Sequence, residues 1–488
     1  MALDREQCSK ARLARDARFD GKFFIAVLST GIYCRPTCHA RTSKESNVRY
    51  YETAAAATHA GFRPCMRCRP ECSPGAAAWA GTQNTVVRAL RLIGESGLQD
   101  GGVERLCGRL GVGSRHLRRL FLRHLGATPK AVAQTRRLQF AKKLIDETQL
   151  PMSELAMAAG FGCVRRFHAA IARGYGRTPT QLRRLARRAE GSDENEYLFR
   201  LDYRPPYNWR RLLDFLTART VAGMERTDGD RYARTIELNG KSGWIEIAPQ
   251  PEKNFLSVRV QFGDSTQLFR IVERVRGMFD VDADWSAISK TFHADPVLRR
   301  SVPEDLGIRI PGSWDPFELT VRAILGQQVS VAAATAAAER LVQRFGPSCQ
   351  GAQGLTRVFP SPQKLLQADL TGVGLTRAKA EAIRAFAEAV CGKQICFEGV
   401  LDMDEFRARL LAIPGIGRWT SEYVAMRALR DPDAFPSGDL ELRQRLGNCT
   451  ARELEQCSQA WRPWRAYAAM LVWQGGSVET PRIARKIA

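Results

Sequence analysis

Four cysteines constrain this chain more than any other feature. Cys34 and Cys38 are spaced C-x3-C, Cys65 and Cys68 are spaced C-x2-C, and 26 residues separate the pairs. Two short-spaced thiol pairs at this separation can close a tetrahedral zinc site, so a small fold here can be braced by metal rather than by a large core. Arg35, His39, Arg41, Arg63, Arg67 and Arg69 surround the thiols. Positive neighbours favour the thiolate, which is both metal ligand and nucleophile. A pair of disulfide clips is the competing reading. The polar start MALDREQCSK has no secretory hydrophobic run, which argues for a reducing compartment where thiols stay free. Zn²⁺ is therefore the expected cofactor. Cys72, in the turn-rich ECSPG, reads as a bystander. Cys8, Cys107, Cys163, Cys349, Cys391, Cys396, Cys449 and Cys457 are scattered and read as small hydrophobes, mostly buried.

The chain has 488 residues, too many for one core. No run approaches the roughly 20 apolar residues of a membrane span, so the cytoplasm or nucleoid is the expected location and no membrane partner is expected. The net charge of +23 is concentrated at one end. Residues 1–190 hold 34 Lys+Arg against 14 Asp+Glu, and the remainder holds 40 against 37. The first part thus suits a polyanion, above all double-stranded DNA. In the second part any DNA contact must be focused on a few groups.

Composition breaks divide the chain further. Residues 73–82, SPGAAAWAGT, and 189–196, AEGSDENE, read as linkers. FDGKFFIAVLSTGIYC has the apolar character of a buried strand. Residues 84–187 turn helical in pattern, YARTIEL and WIEIAP are strand-like, and a helix is expected near NWRRLLDFLTART. The expected architecture is multidomain and mainly α. It comprises a small α/β zinc domain (1–75), an all-α double helix-turn-helix domain (83–188), an antiparallel β-rich subdomain (197–284) and a helical domain (285–488).

Residues 103–124 and 153–172 each read as helix, glycine-containing turn, helix. Ser114 is placed to cap the second helix of the first unit. Arg115, Arg118 and Arg119 would stud that helix, and Arg165 and Arg166 its counterpart. A DNA-reading helix needs such cations opposite its apolar stripe, although a helical bundle with a solvated basic face has the same pattern.

Residues 404–428, DEFRARLLAIPGIGRWTSEYVAMRA, read as helix, hairpin, helix. Gly415 and Gly417 let backbone approach a phosphate, and the next helix start presents free N–H groups. About 20 residues on, FPSGDLELRQRL puts Asp439 in a loop before a helix. By residue type alone Asp439 suits a helix cap as well as chemistry. Trp419, Tyr423 and Trp473 suit either a hydrophobic core or a pocket for a cationic base.

Three resemblances bear on these alternatives. FFIAVLSTGIYCRPTCHAR with GFRPCMRCRP closely resembles the N-terminal domain of Ada adaptive-response proteins. That resemblance implies that Cys34 is a zinc ligand and also accepts methyl from a DNA phosphotriester. Transfer would take the four-thiolate site from about −2 to about −1 and lessen its repulsion from DNA. LRRLFLRHLGATPKAVAQTRRLQFAKKLI with AAGFGCVRRFHAAIARGYGRTPTQLRR resembles the AraC-type DNA-binding domain. It implies an operator as second DNA partner and, for an activator, RNA polymerase as a protein partner.

Residues 198–488 resemble AlkA-type 3-methyladenine glycosylase II, of the helix-hairpin-helix glycosylase superfamily, through IPGSWDPFELTVRAILGQQVS, IPGIGRWTSEYVAMR and RPWRAYAAMLVW. The resemblance implies that Asp439 is the catalytic carboxylate, that the three aromatics form the base pocket, and that Gln328 stands where a wedge enters the duplex. Gly438, Leu440 and Gln328 depart from the family pattern, which often has Asp, Tyr and Leu there. No lysine follows the hairpin glycines, so base removal without strand cleavage is expected. The P-C-H-R motif of an alkylguanine methyltransferase is absent. The whole reads as a bifunctional alkylation-response protein. Its rivals are a regulator with an inactive glycosylase-like module, and a glycosylase whose first half merely holds DNA.

Overall fold

The structure, a computed structural model, describes residues 4–74, 85–86, 89–90, 92–93, 102–186, 195–299, 302, 306–349, 351–352, 354–398, 400 and 402–474. The linker stretches at 73–82 and 189–196 fall largely outside these residues, as does the side chain of Cys72. Two compact units emerge. One comprises Met1–Arg204 with Gln250–Arg276, the other Pro205–Pro249 with Gly277–Ala488.

The first unit begins with helix α1 (Arg5–Leu13) and a small sheet of β1 (Phe24–Val27), β2 (Ile32–Cys34), β3 (Val48–Tyr51) and β4 (Arg63–Pro64), in the order β3-β1-β2-β4. The apolar run around 19–34 is thus not one strand but a hairpin. Gly31, at φ +66, provides the left-handed turn. Alternation along β1 feeds two cores. Phe23 and Ile25 pack with Cys8, Ala11 and Val48, whereas Phe24 and Ala26 pack with Tyr33 and Ala57. The parallel pairing Tyr33↔Pro64 brings the second cysteine pair alongside the first.

A helical array follows: α3 (Gly102–Leu110), α4 (Ser114–Leu125), α5 (Pro129–Glu147), α6 (Met152–Ala158), α7 (Val164–Tyr175) and α8 (Pro179–Leu185), after α2 (Ala54–His59) in the zinc domain. Two helix-turn-helix units are joined by the long α5. Leu117 and Phe121 of α4, and Phe167 and Ile171 of α7, are buried. Ser114 is not a cap. Gly113 takes the N-cap of α4 with no side-chain bond, because the turn places Ser114 already inside the helix.

Strands β5 (Glu196–Asp202) and β9 (Phe255–Phe262) pair antiparallel in this same unit. Three segments meet there. Arg69 bonds Glu147 at 2.8 Å, the Glu147 carboxylate accepts from the Arg200 amide at 3.4 Å, and Lys143 Nζ donates to the Arg200 carbonyl. Arg35, next to Cys34, is buried between Asp20 and Asp202, with Nη1 2.7 Å from the Asp202 carboxylate.

The second unit holds the antiparallel run β6 (Glu225–Asp228), β7 (Arg231–Leu238) and β8 (Lys241–Gln250). Helix α10 (Leu268–Met278) lies almost wholly in the first unit, whereas the second unit's helices include α9 (Trp209–Thr217), α11 (Trp285–His293), α12 (Pro316–Leu325) and α13 (Val331–Phe345). They continue with α14 (Pro362–Gln367), α15 (Arg377–Cys391), α16 (Met403–Leu411), α17 (Arg418–Arg427), α18 (Leu440–Arg445), α19 (Ala451–Ser458) and α20 (Arg465–Trp473). Their core includes Val321, Leu341, Phe386, Leu410 and Val424, with Phe317 stacked on Phe386 at 5.3 Å. Arg234 pairs with Glu318 at 2.6 Å and Arg322 with Glu225 at 3.0 Å, fastening strands to helix through satisfied buried charges.

Of the eight scattered cysteines, only Cys8, Cys107 and Cys449 are buried. Cys163 and Cys396 are exposed, because one precedes α7 in its turn and the other lies in the loop beyond α15.

Candidate active site and metal centre

The ligand atoms of Cys34, Cys38, Cys65 and Cys68 lie within 4.8 Å of one another. Local backbone explains the convergence. Cys34 ends β2, the Cys38 amide turns back to the Arg35 carbonyl at 3.2 Å, and the Cys65 amide donates to the Tyr33 carbonyl at 2.9 Å. Four sulfurs at this spacing fit a zinc ion, and among the described residues no carboxylate or imidazole joins the cluster. The Arg35 amide points at Cys68 Sγ (3.3 Å) and the Ala40 amide at Cys38 Sγ (3.5 Å), contacts that favour thiolates. Cys34 is half-buried and borders a cleft with Arg12, Arg41, Thr42 and Ser43. Cys38, also half-buried, borders the same cleft, so two of the four ligands face hydroxyls and a basic rim in which Arg12 is paired with Glu45.

Arg115, Arg118 and Arg119 on α4 and Arg165 and Arg166 on α7 are all exposed, opposite the buried stripes. This is the arrangement a DNA-facing helix requires.

In the second unit, α16, the turn and α17 form the expected helix-hairpin-helix. Gly415 has φ +84, and a Cβ there would lie 2.4 Å from that of Ala382, so only glycine fits. A Cβ at Gly417 would meet nothing within 4 Å. Gly417 caps α17 without a side-chain bond, so the helix start opens onto free space, as backbone approach to phosphate demands.

Asp439 caps α18, its Oδ1 accepting from the Leu442 amide at 2.9 Å. It does more than cap. Trp419 Nε1 donates to Oδ2 at 2.8 Å, and Trp473 Nε1 donates to Oδ1 at 3.1 Å. Tyr423 stacks on Trp419 (centroids 5.1 Å, planes 13° apart) and meets Trp473 edge-on at 6.2 Å. The three predicted aromatics and the carboxylate therefore form one half-buried cluster rather than core.

Behind it, Arg427 Nη1 donates to the Tyr423 hydroxyl at 2.6 Å. Burial opposes ionisation of that phenol, but the guanidinium groups of Arg427 and Arg219 outweigh it and lower its pKa. Neither arginine is singled out by sequence reasoning, although Arg427 follows Tyr423 by one helical turn.

Gln328 is exposed at φ +57, at the tip of the loop between α12 and α13, next to exposed Val329. Leu440 is 63% exposed beside Asp439.

Comparison with known proteins accounts for all of these parts. Family models match residues 7–71 (metal binding domain of Ada), 106–185 (helix-turn-helix domain), 198–315 (AlkA N-terminal domain) and 321–463 (HhH-GPD superfamily base excision DNA repair protein). A Mycobacterium tuberculosis protein, named as a probable bifunctional transcriptional activator/DNA repair enzyme AlkA, is 40% identical over 478 residues, covering 96% of each chain. This chain belongs to that family. Members combine modules that also occur apart. The Escherichia coli DNA-3-methyladenine glycosylase 2 is 30% identical over 57% of this chain and 96% of its own. The Escherichia coli bifunctional transcriptional activator/DNA repair enzyme Ada is 34% identical over 37% of this chain and 49% of its own. The fold of the second half is that of a 3-methyladenine DNA-glycosylase from Archaeoglobus fulgidus, with TM-score 0.51 at 22% identity over 56% of this chain and 97% of that one. Zinc is the family's metal at the four-cysteine site. Among the described residues, no helix is long and apolar enough to cross a membrane.

Proposed function

We propose that this chain excises alkylated bases of the 3-methyladenine class from duplex DNA by hydrolysing the N-glycosidic bond. The observation that carries this reading is the grip of two indole N–H groups, from Trp419 and Trp473, on the two oxygens of Asp439. A carboxylate held at both ends keeps its negative charge aimed at one place, where a sugar cation develops as the base leaves. The stacked Trp419 and Tyr423 rings offer a face to an electron-poor base. The extruded nucleotide is traded for Gln328, and phosphate is anchored at Gly415 and Gly417. Strand cleavage is not expected, because Arg418, Trp419 and Thr420 follow the hairpin and offer no primary amine. The test is release of 3-methyladenine by Asp439→Asn. Asn retains the cap but not the charge, so the rate is expected to fall on the order of a hundredfold or more with little change in melting temperature. Near-normal release would refute the assignment.

We also propose that Cys34 accepts a methyl group from a DNA methylphosphotriester. The sulfur–carbon bond forms as the carbon–oxygen bond to phosphate breaks, leaving a thioether and a phosphodiester anion. Zinc, when bound, keeps the sulfur deprotonated. Half-exposure of Cys34 on the cleft of Arg41, Thr42 and Ser43 gives a phosphotriester access to this sulfur, and the C-R-P-T-C resemblance selects it over Cys38, which borders the same cleft. The loss of one negative charge then tightens operator binding through Arg115, Arg118, Arg119, Arg165 and Arg166, with RNA polymerase as the downstream partner. Mass spectrometry after exposure to methylphosphotriester DNA is expected to show one methyl, on Cys34. Methyl found instead on Cys72 would refute the choice of acceptor.

A further inference from the structure

The loop that carries Gln328 is fastened on every side except its tip. At its start, Lys379 Nζ from α15 donates to the Leu325 carbonyl at 2.8 Å. At its end, the Ser330 hydroxyl caps α13 by accepting from the Ala333 amide at 3.2 Å. Between them, the side-chain amide of Gln327 donates twice: to the Gly415 carbonyl at 2.9 Å and to the Thr420 hydroxyl at 2.9 Å. Both acceptors belong to the helix-hairpin-helix. Gly415 is the residue whose positive φ and contact with Ala382 leave no room for a side chain, and Thr420 is buried in the first turn of α17. Gln327 therefore ties the probe loop to one of the least deformable points of the phosphate anchor. Gln328 and Val329 are left exposed beyond it.

We infer that Gln327 is a positioning residue for base extrusion. By clamping the loop to the hairpin, it makes phosphate anchoring and insertion of the residue-328 side chain a single rigid action. Without the clamp, the hairpin can hold the backbone while the tip swings, and the energy of the phosphate grip is not applied to the stack. The inference rests on the glycosylase reading above. It concerns only the step in which a paired base leaves the helix, not the hydrolysis at Asp439.

The selectivity of that step provides the test. A base already unpaired needs little help to leave the stack, whereas a paired one must be pushed. Single-turnover release would be measured on an oligonucleotide with one 7-methylguanine, placed either opposite cytosine or in a one-base bulge. Gln327→Ala removes the clamp. Gln327→Glu keeps the length of the side chain but supplies no N–H donors. Both variants are expected to lose about tenfold on the paired substrate, as for a misplaced positioning group, while staying within about twofold on the bulge. Activity on the bulge also shows that each variant is folded with an intact pocket. Equal losses on the two substrates, or full activity of either variant on the paired one, would overturn the inference and leave the glycosylase reading standing. Failure of the unsubstituted protein to release base from either substrate would remove both.

Discussion

At Cys34 the proposed methyl acceptor is one of four clustered sulfurs, all delivered by one short stretch of chain between residues 34 and 68. At Asp439 the proposed catalytic carboxylate is held by unlike groups drawn from three helices: the Trp419 indole, the Leu442 amide and the Trp473 indole. The first arrangement is bound together by its metal, and its surrounding cores are small. The second sits on a large helical core that exists without it. The thiol site should therefore fail all at once when any one ligand is lost, whereas the carboxylate site should fail by degrees, leaving the fold behind.

The sharpest way to break this contrast is Cys65→Ala in the full chain. Structural zinc sites contribute on the order of 10 kcal/mol to the fold that holds them. Loss of the ion and rapid proteolysis within residues 4–74 are expected, with base release unaffected in its chemical step. Metal analysis and limited proteolysis check this, and a metal-free but protected N-terminal segment would contradict it.

The next largest effect concerns a carboxylate that is structural rather than reactive. Burial raises Asp280 to a pKa of about 6, against the opposing pull of Arg309 and the hydrogen bonds from Tyr467 (2.8 Å) and the Ile310 amide (3.2 Å). Its folded value lies above that of an unfolded aspartate. The folded state thus holds the extra proton, and the associated stability is present below about pH 4 and lost as pH rises through about 6. Relative to Asp280→Asn, the parent should lose about 2 kcal/mol between pH 4 and pH 7. Denaturant titrations at the two pH values measure it. A flat difference would show that Asp280 is ionised at both.

The smallest effect separates aim from charge at the reactive carboxylate. Trp473→Phe keeps the ring edge on Tyr423 and removes one N–H donor to Asp439. A hydrogen bond to a charged group is worth about 1.5–3 kcal/mol, so base release should slow by about tenfold or somewhat more while melting barely moves. A loss as large as that of Asp439→Asn would mean that the two indoles act as an indivisible unit, like the four thiols.

Legibility in the sequence follows the same division. The thiol ligands are close in sequence and chemically distinctive, so spacing alone assembles them. The helix-turn-helix pairs and the hairpin are also local patterns, and Arg115 and Arg165 emerge on the expected faces. Asp439 was ambiguous between cap and catalyst on residue type, and the structure shows it capping α18 while also accepting from two indole N–H groups. What escaped is what crosses the chain. Gln327 reaches Gly415, Trp473 reaches Asp439, Arg219 approaches Tyr423, and Arg35 finds Asp202. No period or spacing encodes such meetings. Ser114 failed for a smaller reason: its helix starts one residue earlier than the cap reading places it.

The Arg35–Asp202 contact makes the chain less divisible than its modules suggest. Strand β5 opens the segment that resembles a free-standing enzyme, yet its last residue answers a cation from the zinc domain, and its middle carbonyl answers Lys143 of the DNA-reading domain. Cutting between residues 189 and 196 would take Arg35 and Lys143 away from β5 and leave Arg35 to Asp20 and the Cys68 carbonyl. A seam that carries buried charge pairs is not readily cut: each fragment would lose a buried partner at the break, with Arg200 left to Asp202 and Asp20 left to Arg35 as counter-charges.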